Sequence, residues 1–160
     1  MTFDEYVRAV DRGEYPEYPH VPLDPPVSTP AGQLWNIAFG KFEGAALIES
    51  HRDTIRSNHY HLTDWHYLAV VSGRLDYYWR KVSGPPGSIM ATTQKQTFKS
   101  GDVFFTPPRV MHALYFHEHT VLVSLSRNAR RHYEHEADLV RSQLIEIEDD
   151  VVKLIPAGAW

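Results

Sequence analysis

Between residues 33 and 126, apolar and polar positions alternate in short runs: QLWNIAFGKF, AALIES, TIRSNHYH, WHYLAVV, RLDYYWRKV, QTFK, DVFFT, HALYF and TVLVSLS. Alternation puts every second side chain on one face of an extended chain, so each run predicts a half-buried strand. Turn residues separate the runs at 41–44, Ser72-Gly73, 83–88 (SGPPGS), Ser100-Gly101 and 117–120. Many short strands at this spacing predict an all-β sandwich or barrel. Ser72-Gly73 reads as a two-residue hairpin turn joining WHYLAVV to RLDYYWRKV.

The flanks follow other periods. Phe3, Tyr6, Val7 and Val10 fall on one face of a helix over 2–11, with Gly13 behind it. Residues 14–30 (EYPEYPHVPLDPPVSTP) hold too many prolines for helix or central strand. They predict an extended arm, whose Tyr15, Tyr18, Val21 and Leu23 favour lying on the body or on a partner subunit. From about residue 132, Tyr133, Ala137, Val140 and Leu144 recur at helical spacing, so HYEHEADLVRSQLIEI predicts a helix, with VVKLI as a closing strand. The expected organisation is helix and arm over 1–30, β-body over 31–128 and a tail over 129–160.

Composition narrows the function. The chain has 160 residues, 42% of them hydrophobic and 12% aromatic, which suits one packed domain. A formal charge of −4 with no Lys/Arg block argues against a nucleic-acid surface. There is no apolar run of membrane-spanning length and no basic-then-apolar start, so a cytoplasmic protein is expected. The chain has no cysteine, and any metal must be held by His, carboxylate or water.

Ten histidines are unevenly placed. His59 and His61 share a strand face, close enough for one metal. His66 shares its face with Leu68 and Val70, and His112 with Leu114 and Phe116, so both point inward. Pairing across Ser72-Gly73 would set Leu68 opposite Tyr77 and His66 near Trp79. Imidazole is both the commonest protein metal ligand and the commonest acid/base group, and it is also an ordinary polar residue. His117 and His119 flank a turn and read as solvated; His132 and His135 lie on the tail, His20 in the arm and His51 in a loop, and none of these is read as a ligand.

The spacing resembles the two motifs of the cupin family. His59-x-His61, four residues, His66, six residues, Gly73 is similar to the first, and Gly101, five residues, Pro107-Pro108-Arg109, two residues, His112 to the second. Four departures stand out: His66 replaces a Glu, Arg109 a Gly, Phe116 an Asn, and Asp53 occupies the opening Gly position. The resemblance implies a single-domain β-barrel (double-stranded β-helix, or jelly roll) with one divalent ion (Mn, Fe, Zn, Co or Ni) on His59, His61, His66 and His112. RSNHYH (56–61) and the segment from Thr120 to Arg141 further resemble sugar-nucleotide ketoisomerases, which group with deoxysugar epimerases.

That second resemblance implies an isomerase, epimerase or mutase of a nucleoside-diphosphate sugar. Tyr77, Trp79 and Tyr115 would offer aromatic faces, and Arg56 and Arg109 would bind the diphosphate. Asp64, Tyr60, Tyr78 and Lys81 are the candidates for moving the proton. An iron-dependent dioxygenase of a small organic substrate and a non-catalytic ligand-binding module are the alternatives. The arm makes a homodimer the expected assembly.

Overall fold

The computed structural model describes residues 1–82, 92–129 and 131–156. The turn expected at 83–88 and the side chain of Tyr133 lie outside that description. Helix α1 (Phe3–Asp11) opens the chain. Thr2 and Glu5 cap it reciprocally, at 3.2 Å for Glu5 N–H to Thr2 Oγ1 and 2.7 Å for Thr2 N–H to Glu5 Oε2. Ten strands follow among the described residues before the next helix. They are β1 (Val27–Thr29), β2 (Gly32–Leu34), β3 (Gly44–Ser50), β4 (Ile55–His61), β5 (His66–Ser72), β6 (Arg74–Lys81), β7 (Gln94–Lys99), β8 (Val103–Thr106), β9 (Val110–Phe116) and β10 (Thr120–Ser126). Helix α2 (His132–Asp138) then precedes β11 (Leu139–Arg141), β12 (Ile145–Glu148) and β13 (Val151–Leu154).

Two antiparallel sheets carry the body. One has the order β3-β10-β5-β8 and the other β11-β4-β9-β6-β7. They face each other across a core of Leu68, Val70, Leu75, Tyr77, Trp79, Phe104, Leu114, Phe116 and Leu122. This is the jelly-roll layout, but neither sheet closes on itself, so the expected barrel is an open two-sheet sandwich. Helix α1 covers the outer face of the smaller sheet, with Phe3, Tyr6, Val7 and Val10 against Trp65, Tyr67 and Phe105. The arm joins the free edge of β8 through Val21 N–H to Val103 O (2.9 Å) and Phe105 N–H to Pro19 O (2.8 Å). Val21 is buried, whereas Tyr18 is 74% exposed.

Three local expectations change. Ser72-Gly73 is a corner between sheets and not a hairpin turn: β5 pairs with β10 and β8, β6 with β9 and β7. Gly73 has φ 97°, and a Cβ there would meet Thr120 Oγ1 and the His119 carbonyl oxygen, the latter at 2.6 Å. That close approach holds the corner against the β10 entry. QLWNIAFGKF is strand only through Leu34; beyond it Ile37 and Ala38 pack under α1 as irregular chain. The tail helix stops at Asp138, because Leu139–Arg141 pair instead with the open edge of β4 (Leu139 with His61, Arg141 with His59). The remaining tail forms the β12–β13 hairpin, turning at Asp149 and Asp150, both at positive φ. Among the described residues no helix is long and apolar enough to cross a membrane.

Candidate metal centre

The histidines owe their direction to a bulge. Along β4 and β9 the register runs Arg56 to Leu114 and Ser57 to Ala113, then resumes at His59 to His112. Asn58 is the extra residue, and Ser57 and Asn58 take φ of 74° and 54°. In an unbroken strand Arg56 and His59 would face opposite sides. The bulge puts Arg56, His59 and His61 all on the inner face and turns Tyr60 outward.

Asn58 pins this distortion to the tail. Its Nδ2 donates to the Ile145 carbonyl at 3.0 Å, and its Oδ1 accepts the N–H groups of Leu144 and Ile145 at 3.0 and 3.1 Å. The two positions where the cupin resemblance expects a glycine and this chain has another residue, Asp53 and Arg109, both have φ 58°. Both positions adopt the left-handed backbone that suits glycine, with a larger side chain in its place.

Donor atoms of His59, His61 and His112 lie within 4.8 Å of one another. His112 holds its ring by Nδ1 on the Val110 carbonyl at 2.9 Å, the usual way a second nitrogen sets the direction of a ligating imidazole. The Asp138 carboxylate stands 3.4 Å from His61 Nδ1. Burial first, and then the neighbouring His112 and His61, push the His59 imidazole down to about 2, so it is neutral and the lone pair of its unprotonated nitrogen suits a cation. His66 reaches the group through His61, with their Nε2 atoms 2.9 Å apart. His61, His66 and His112 are at most 3% exposed.

Asp64, also buried, brings Oδ2 to 3.5 Å from His66 Nε2. It is the one proton-transfer candidate beside the imidazoles. Tyr60 and Tyr78 pack on the outer face of the larger sheet with Met111, Leu144 and Ile145. Lys81 sits at the end of β6, 3.8 Å from Glu17. Of the substrate candidates, Arg56 lines the histidine cavity, its guanidinium fixed at 2.6 Å on both Ser50 Oγ and the Glu49 carbonyl. Tyr77, Trp79 and Arg109 line a separate cavity of about 310 Å³ beneath the arm, and Tyr115 points out to Asp53 at 2.8 Å. Tyr77 and Trp79 stack on each other, and Tyr77 lies 6.2 Å from the His112 ring.

His135 and Asp138 were missed by the pattern reading, which placed His135 on the tail and outside the ligand set. His135 lines the histidine cavity, 5.7 Å from His61. The i, i+3 spacing of this His and Asp on one helix face was the available signal. Nothing local shows which surface that face meets.

No protein-family model matches the chain, and no curated protein matches its sequence. Solved structures do match in shape. A sugar 3,4-ketoisomerase from Thermoanaerobacterium thermosaccharolyticum, in complex with TDP, aligns with TM-score 0.58 at 14% identity, over 78% of this chain and 85% of that one. A 3,4-ketoisomerase from Helicobacter canadensis aligns with TM-score 0.61 at 13% identity, over 79% and 91%. A dTDP-4-dehydrorhamnose 3,5-epimerase from Sulfolobus tokodaii aligns with TM-score 0.56 at 13% identity, over 68% and 69%. The fold is theirs. At this identity the likeness is one of architecture alone, two antiparallel sheets in a jelly-roll layout.

Proposed function

We propose that this chain is a metal-dependent isomerase, epimerase or mutase of a nucleotide-linked sugar. The observation that carries the reading is the His59–His61–His112 triad, two of its rings buried and His59 half-buried, inside a fold shared with sugar-nucleotide ketoisomerases and an epimerase. The donor set fits a divalent transition ion: three imidazoles, no thiolate, and one of them held neutral by burial. His59, His61 and His112 would hold the ion, with His66 completing the set from His61's side. Bound there, a divalent ion supplies Lewis acidity that polarises a sugar oxygen and lowers a hydroxyl pKa.

The chain's own residues do the rest. Asp64 Oδ1 is tied to the Trp65 and Asn128 N–H groups at 2.9 Å each, so its Oδ2 stays beside His66 Nε2. With His66 given to the ion, Asp64 Oδ2 is the group that takes and returns the proton beside it. Ile48, Leu68, Leu114 and Leu122 form the apolar wall that excludes water. The cavity measures about 190 Å³, below the range of pockets that bury drug-sized ligands, so it takes the sugar ring. The nucleotide would remain outside, toward the exposed Arg56. The same small apolar wall supports a second reading, an iron-dependent dioxygenase of a small organic substrate.

A homodimer would cover the exposed Val27, Leu34, Trp35 and Leu47; light scattering after gel filtration tests it. The functional test is metal analysis of purified protein, then thermal shift and product analysis with a panel of nucleoside-diphosphate sugars. Stoichiometric metal with a shift and rearranged sugar supports the proposal. A metal-free protein, or oxygen uptake with no response to any nucleotide sugar, overturns it.

A further inference from the structure

Behind α2 lies another cavity, of about 280 Å³, walled by Glu43, Asp64, Asn128, Glu134, His135 and Asp138. Four of these are carboxylates, and no Lys or Arg is among its described lining residues. Nearby, Arg131 reaches Glu134 at 4.0 Å, and Arg127 is turned to the Thr63 carbonyl at 3.1 Å. A recess lined by one sign of charge focuses the field and concentrates counter-ions. His135 lines both this cavity and the histidine cavity, so its ring is the partition between them.

At that partition the donor atoms of His61, Asp64 and His135 lie within 4.8 Å of one another. Their supports are stiff. The backbone N–H groups of Trp65 and Asn128 hold Asp64. Asp138 accepts from Thr63 N–H (2.9 Å), Thr63 Oγ1 (2.7 Å) and Asp64 N–H (3.1 Å), which docks the end of α2 on the chain leading into β5. Two imidazoles and a carboxylate with room on one side make a donor set that divalent transition ions use, different in charge from three imidazoles.

We propose that His61, Asp64 and His135 form a second seat for a divalent transition ion, loaded from the acid-walled cavity and sharing His61 with the His59–His61–His112 triad. A neutral imidazole lends one lone pair, so one ion at a time occupies His61. On the carboxylate seat the centre carries one less positive charge and is the weaker Lewis acid. An ion there also ties α2 to the body through His135. The proposal rests on the reading that the histidine pocket binds a cation, and the test separates the two.

The test titrates Co²⁺ into the full chain by calorimetry and by the Co²⁺ absorption spectrum. The variants are H59A/H112A and the same protein with H135A added, each checked for fold by circular dichroism. H59A/H112A is expected to keep one Co²⁺ per chain, and H135A to weaken it by at least about tenfold, the lower end of what even outer-shell partners contribute. Absence of Co²⁺ from H59A/H112A while the parent chain binds it, or indifference to H135A, overturns the second seat and leaves the first intact. A parent chain that binds no Co²⁺ overturns both. If H59A/H112A does not fold, amide exchange decides: Co²⁺ should slow exchange across α2 in the parent chain and not in H135A, and equal behaviour overturns the seat.

Discussion

Replacing Asn58 by Ala removes the side chain that holds the β4 bulge to the tail. Three hydrogen bonds go, one donated to the Ile145 carbonyl and two accepted from Leu144 and Ile145 N–H. Leu144 and Ile145 are fully buried, so their backbone groups have little recourse to water. At about 1 kcal/mol each the bonds contribute about 3 kcal/mol. Asn tolerates the left-handed region better than Ala, and φ 54° adds about 1 kcal/mol more. The expected loss is therefore about 4 kcal/mol, equivalent to a fall in Tm of about 8–16 °C for a chain of this size. Asn58→Asp keeps both acceptor bonds and the backbone tolerance and loses only the donated bond, so it should lose about a quarter as much. Urea unfolding followed by far-UV circular dichroism measures both, with the m-value checked for constancy. Because the bulge aims His59, Asn58→Ala should also weaken metal binding. A midpoint within about 1 kcal/mol of the parent, or a more damaged Asn58→Asp, would mean that the bulge is held by something else.

Gly73→Ala should unfold or severely destabilise the chain, by about 3 kcal/mol or more, because the new Cβ meets the His119 carbonyl and Thr120 at a left-handed φ; a thermal melt close to the parent's would remove the corner from the account. Arg109→Gly should be neutral or stabilising by about 1 kcal/mol, since φ 58° suits glycine, and a clear loss of stability would show that the Arg109 side chain matters more than its backbone. In the metal-free protein burial holds the His59 imidazole down to about 2, while in the unfolded chain it takes its proton near the ordinary 6.5. Between those values the unfolded state holds more protons, so stability falls on acidification, by about 1.2 kcal/mol between pH 6 and pH 5 from this residue. Urea midpoints at the two pH values with chelator present measure it, and His59→Gln should remove that much of the slope; an unchanged slope would mean that His59 titrates normally.

Periodicity alone laid out most of the local structure. The 3.6-residue spacing of Phe3, Tyr6, Val7 and Val10 is the buried face of α1, and the two-residue spacing of Leu75, Tyr77 and Trp79 is the inner face of β6. The inward direction of His66 and His112 was readable in the same way, from their apolar companions. What the pattern could not carry is which strand lies beside which. WHYLAVV and RLDYYWRKV are separated by two residues and look like a hairpin, yet they enter different sheets because β10 and β9 compete for their edges. The tail shows the same limit. Its helical spacing through Leu144 is overridden once the edge of β4 offers Leu139–Arg141 hydrogen-bond partners.

The site divides along the same line. Side-chain alternation put His59 and His61 together, but their placement on the inner face depends on a bulge held by Asn58 to residues more than eighty positions away. Tyr60 and Tyr78, near the histidines in sequence or strand, face the other side, while His135 and Asp138 arrive from the tail. Local sequence sets the face on which a side chain emerges, through backbone geometry and burial. Which groups meet there is a matter of long-range pairing, whose free energy is spread over contacts that no short stretch contains.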